Sequence, residues 1–107
     1  MTDYLKMKNV IAERVGIDDE DTAQVNNCWE EMVQIFSADI SNTILFLDNE
    51  CTEDEFSWLS EVFEQIAERT KSREFIECLR RVAQKYPDET KKYNIDEFID
   101  SAETYLQ

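Results

Sequence analysis

Apolar residues recur along this chain at intervals of three and four, the period of a helix that buries one face. Tyr4, Met7, Ile11 and Val15 align on one side of a first helix expected from about Asp3 to Val15, and Gly16 after them predicts a left-handed C-terminal cap. Val25, Trp29, Met32, Val33 and Phe36 define a second helix from about Asp21 to Phe36, with Trp29 in mid-stripe and so assigned to the core. After Asp39, the run Ile44, Leu45, Phe46 and Leu47 is apolar all round, which fits a buried central helix. A buried strand competes there, because periodicity does not separate runs this short.

Capping signals define the second half. Thr52-Glu53-Asp54-Glu55 is a capping box: the Thr hydroxyl and the third-position Glu each accept from a backbone N–H that the helix start leaves open. The helix starting there carries Phe56, Leu59, Phe63, Ile66 and Ala67 and runs to about Thr70. Lys71 is the linker and Ser72 caps the next helix, whose stripe is Phe75, Ile76, Leu79, Val82, Ala83 and Tyr86; the pair is expected to form an antiparallel hairpin. Pro87 stops that helix, and Asn94 with Glu97 opens a last one bearing Ile95, Phe98, Ile99, Ala102 and Leu106. One Gly and one Pro among 107 residues leave little turn chemistry for sheets. The expected fold is all-α, a single domain over residues 1–107 of about five to six helices, arranged as an irregular bundle or a short HEAT-like stack of helical hairpins.

Charge changes the picture. Between Val15 and Glu68 stand fifteen acidic residues and no Lys or Arg. Residues 1–14 carry +1, residues 15–68 carry −15 and residues 69–107 are neutral, which accounts for the net charge of −14. A field of one sign on one part of a small body favours capture of a basic partner. Because 42% of residues are apolar and six Phe, four Tyr and two Trp are present, the acidity is that of a folded protein rather than a disordered tail.

Several chemistries are excluded or weakened. Without His, histidine-based triads and histidine-zinc sites are ruled out, and a lone Gly cannot build a phosphate loop or a dinucleotide fingerprint. Asp18, Asp19, Glu20 and Asp21 are contiguous rather than alternating, so no calcium loop is written there; they read first as a charge cluster favoured by a helix N-terminus. No metal, cofactor or enzymatic activity is expected. Cys28, Cys51 and Cys78 are odd in number and widely spaced, as reduced thiols of a cytosol are, with Cys28 and Cys78 as small core residues. The longest aliphatic or aromatic run, Ile44 to Leu47, is far too short to span a bilayer, and Met1-Thr2-Asp3-Tyr4 shows no start of a signal peptide, so a cytoplasmic location is expected. Direct nucleic-acid binding is disfavoured: Arg69, Lys71, Arg73, Arg80, Arg81 and Lys85 are interleaved with Glu68, Glu74 and Glu77, the pattern of a salt-bridged, solvated helix face.

The candidate contact residues lie in the acidic block. Trp58 falls off the stripe centred near Leu59 and Phe63, and its angular neighbours are Asp54, Glu61 and Gln65. An indole beside carboxylates has the composition of a binding hot spot; packing at the rim of the core is the competing explanation. Asp54, Trp58 and Glu61, with Asp48, Glu50 and Glu53 just before them, form the candidate partner-binding set.

From Thr52 onward the sequence resembles small acidic all-helical immunity proteins of bacterial polymorphic toxin and contact-dependent growth inhibition systems. The resemblance is carried by Phe56-Ser57-Trp58-Leu59-Ser60-Glu61-Val62-Phe63, Tyr86-Pro87 and Lys92-Tyr93-Asn94-Ile95, and extends over about half the chain. It implies a cytosolic antidote, monomeric before binding, that covers the active-site region of a cognate toxin domain; such toxins are often nucleases with basic clefts. A nucleic-acid mimic that displaces DNA or RNA from many basic proteins, and an adaptor or secretion chaperone with an apolar binding surface, are the alternatives.

Overall fold

The computed structural model describes residues 4–106, so Asp3, expected to open the first helix, lies outside the described residues. Helices run from Tyr4–Val15 (α1), Thr22–Ala38 (α2), Ile40–Asn49 (α3), Glu53–Leu59 (α4), Phe63–Thr70 (α5), Arg73–Lys85 (α6), Pro87–Lys92 (α7) and Ile95–Glu103 (α8). A 3-10 turn at Ser60–Val62 joins α4 to α5 without a gap, and another at Thr104–Leu106 follows α8. No strand occurs among the described residues, and the fold is an all-α bundle. No helix there is long and apolar enough to cross a membrane.

Local chemistry explains most of the boundaries. Asp21, Asp39 and Ser72 accept from the backbone N–H groups of Gln24, Asn42 and Phe75, and the Thr52–Glu55 capping box forms with both of its hydrogen bonds. Gly16 does not take the expected left-handed cap: its φ is negative, and its N–H donates to Ala12 and Glu13, so the chain leaves α1 still winding in the right-handed sense. The left-handed positions are instead Lys71, which closes α5, and Asn94, which precedes α8 without a side-chain cap. Pro87 does more than stop α6. It stands at the first position of the short α7, where its missing N–H costs nothing and its fixed φ is already helical.

The core confirms the stripes with some exceptions. Ile44 to Leu47 is helical rather than a strand, yet one-sided: Phe46 and Leu47 are buried while Leu45 is 48% exposed. On α1 the buried line is Met7, Val10, Ile11 and Arg14, not a stripe ending in Val15, which is exposed. Trp29 is half-buried at the edge of the core rather than inside it. The single long helix expected from Thr52 to Thr70 is interrupted at Ser60–Val62, where Val62 leaves helical geometry (φ −119°, ψ 11°). The α5–α6 pair is not the packing unit expected of a hairpin: α5 lies mainly on α8 and α2, and α6 on α3 and α8, with Phe63 edge-on to Phe75. Five of the six phenylalanines are fully buried, and Phe98 breaks the pattern at 41% exposed. It was expected in the α8 stripe; the helix is instead rotated so that Ile95, Ile99 and Ala102 enter the core.

Candidate functional site

Phe98 does not stand alone at the surface. With Trp58 and Tyr93 it lines a cleft of about 400 Å³ whose polar wall is Asp19, Asp54 and Glu61 with Ser57 and Ser60. Trp58 is half-buried against the core, and Tyr93 is 46% exposed. The α4 helix and the turn after it supply Asp54, Trp58 and Glu61, the loop before α2 supplies Asp19, the α7–α8 junction supplies Tyr93 and the first turn of α8 supplies Phe98.

Beneath this cleft lies an ion-pair network that the sequence does not announce. Arg14, at the end of α1, is only 3% exposed. Its Nε donates to Glu61 Oε1 (2.8 Å), and its Nη2 donates to Glu61 Oε2 (3.0 Å) and to Asp19 Oδ1 (3.0 Å). The Trp29 indole N–H also donates to Glu61 Oε1 (3.0 Å). The guanidinium stacks over the Trp58 ring, 5.0 Å from its centroid, and Nη1 finds no hydrogen-bond acceptor among the described residues. Burial is the largest influence and works against the charge of Arg14, yet its hydrogen bonds to Glu61 and then Asp19, with the attraction of both carboxylates, together outweigh it and hold the guanidinium above its already high ordinary pKa.

The six candidate contact residues are therefore not equivalent. Glu61 is bonded inside the protein on both oxygens and fixes Arg14 and Trp29. Asp54 is exposed, and among the described residues nothing hydrogen-bonds its carboxylate. Asp19, absent from the candidate set, has a 75% exposed side chain and engages Arg14 through one oxygen only. Asp48 lies away from the cleft, paired with Arg81 on α6 (3.0 Å) and within 3.6 Å of the Cys78 thiol. Glu50 and Glu53 are exposed around the start of α4; the Glu50 carbonyl accepts from Lys8. The structure thus brings Asp54, Trp58 and Glu61 into one cleft and leaves Asp48, Glu50 and Glu53 outside its walls.

Sequence reasoning missed Tyr93, Phe98 and Arg14. Nothing in spacing alone joins residue 58 to residues 93 and 98. Arg14 did leave a signal: it lies seven residues after Met7 and three after Ile11, on the buried side of α1.

The acidic block keeps its imbalance in three dimensions. Of its fifteen carboxylates, Asp19, Asp48, Glu55 and Glu61 meet a cation, and the other eleven have no salt-bridge partner among the described residues. Two of the C-terminal arginines, by contrast, pair with carboxylates of their own segment across helices: Arg73 and Arg80 reach Glu103, and Arg80 also reaches Asp100. These partners come from α8, not from the interleaved Glu68, Glu74 and Glu77. Cys28, Cys51 and Cys78 are buried free thiols. Burial, reinforced by Glu55 at Cys51 and by Asp48 at Cys78, pushes each of those two up to about 12 and keeps them protonated. No protein-family model matches the chain, and no curated protein or solved structure is significantly similar to it.

Proposed function

We propose that this protein is an immunity protein: a cytoplasmic, stoichiometric antidote that binds a cognate toxin domain with a basic surface, a nuclease by preference, and covers its active-site region. The observation that carries this reading is the cleft, in which three partly exposed aromatic rings stand beside carboxylates on a body holding eleven acidic groups without a salt-bridge partner among the described residues. Aromatic anchors that exclude water around charged contacts are what concentrate binding energy in a small interface. The surrounding negative field speeds encounter with a basic partner and sets its orientation. The resemblance from Thr52 onward to small acidic immunity proteins points the same way.

The test is co-expression in a bacterial host with the C-terminal domain of any large secreted protein encoded immediately upstream. Rescue of growth, a one-to-one complex and an association rate that falls steeply with salt are the expected results. No rescue and no complex with that domain would overturn the proposal. Binding of several unrelated nucleic-acid enzymes with similar affinity would replace it with a nucleic-acid mimic.

A further inference from the structure

The cleft beside Trp58 has a chemistry of its own. Its walls carry Asp19, Asp54 and Glu61, and among the described residues the only cation engaged with them is Arg14, so the site holds two negative charges in excess. Its apolar walls are aromatic, and aromatic faces are negative where a cation would approach them. An aliphatic guest would bury Asp54 and Asp19 without compensation, and an anion would be repelled. The protein also displays, one layer below, how this neighbourhood holds a guanidinium: Arg14 stacks on Trp58 and is forked by Glu61. At about 400 Å³ the space is near the lower end of ligand-sized pockets, enough for one long side chain and too small for a helix.

We propose that the cleft receives a single arginine side chain from the partner, stacked among Trp58, Tyr93 and Phe98 with its guanidinium on Asp54 and the free oxygen of Asp19. Arginine is favoured over lysine because a planar, weakly hydrated fork matches both an aromatic face and a carboxylate. Glu61 is the positioning residue: by clamping Arg14 and Trp29 it fixes the floor on which the guest is received. The identity of the donor rests on the antidote reading; the preference of the cleft does not.

The probe is N-acetyl-arginine methylamide, titrated at physiological salt into the isotopically labelled protein, with the neutral citrulline analogue as its isostere. The arginine compound is expected to shift the Trp58 indole N–H and the amides of Asp54, Tyr93 and Phe98, with a Kd of about 1 mM and at least about tenfold weaker binding by citrulline. Asp54→Asn and Phe98→Ala, both exposed positions, should each weaken it severalfold while the remaining spectrum stays native. Equal shifts from citrulline, shifts confined to other surfaces, or no shift at all would overturn the assignment. With a toxin in hand the two readings separate. Neutralisation that survives Asp54→Asn and Phe98→Ala with unchanged affinity sinks the arginine cleft and leaves the antidote standing, whereas selective arginine binding without neutralisation supports the cleft alone.

Discussion

Removing the Glu61 carboxylate tests the network beneath the cleft most directly. In Glu61→Ala the Arg14 guanidinium, with a side chain only 4% exposed, loses two of its three charge-assisted hydrogen bonds and keeps a single contact to the solvated carboxylate of Asp19. The Trp29 indole N–H loses its acceptor as well. Breaking one side of a buried ion pair costs about 3 to 5 kcal/mol, because the remaining charge stays buried without compensation. Glu61 is 29% exposed, so water reaches part of the vacancy and the low end applies, about 3 kcal/mol. With a urea m-value of about 1.5 kcal/mol per molar, the unfolding midpoint should fall by about 2 M. Arg14→Met should cost less, because the orphaned partners Glu61 and Asp19 both reach solvent while the methionine keeps most of the packing. Adding Arg14→Met to Glu61→Ala should recover part of the loss. If Glu61→Ala costs under about 1 kcal/mol, or if Arg14→Met is the more damaging change, the guanidinium is not held as described.

Other outcomes follow from individual positions. Phe98→Ala should lower stability by no more than about 1 kcal/mol in the same urea assay, unlike any of the five buried phenylalanines, at which about 3 to 5 kcal/mol is expected. Gly16→Ala should be neutral or stabilising by up to about 1 kcal/mol, since its φ is negative and an added Cβ would meet only ordinary contacts at 3.6 and 3.7 Å; a clear loss would restore the left-handed cap. Cys51 and Cys78 have folded pKa values raised from 9.0 to about 12, so their contribution to stability is complete below pH 9 and is lost as pH rises toward 12. Urea midpoints across that range should decline less steeply in Cys78→Ala, and a thiol reagent at neutral pH should label both cysteines only as fast as the protein opens.

The helices were legible because their signals are local. A Thr–Glu pair three residues apart, a Ser before an amphipathic run and a Pro after Tyr86 act within one turn, and the structure contains the two caps and starts a helix at that Pro. What failed depended on rotation or tertiary adjacency. Phe98 and Ile99 are neighbours in sequence, and only packing against α5 and α6 decides which of them faces inward. Gly16 permits a left-handed turn without requiring one. The cleft was half legible: Asp54, Trp58 and Glu61 share a surface through their spacing, whereas Tyr93 and Phe98 reach it only because α7 folds back beside α4 and α8 beside the turn that follows it. Arg14 was hidden by its type, since a charged residue in the last turn of a helix reads as solvated and dipole-favoured.

Lys8 donates to Glu55 and Arg14 to Glu61, and both pairs are separated by 47 positions. Equal separations mean that α1 runs parallel to α4 and the turn that continues it, in a fixed register, and that α2 and α3 lie inside one closed loop. Closing such a loop costs roughly 3 kcal/mol plus a constant, growing as the logarithm of its length. That cost arises once: after either pair has formed, the other is only six residues away along two segments already side by side. The α1 helix is therefore a two-point clasp with a single release, and its amides from Val10 to Arg14 should exchange with solvent hydrogen in one cooperative opening rather than fraying turn by turn.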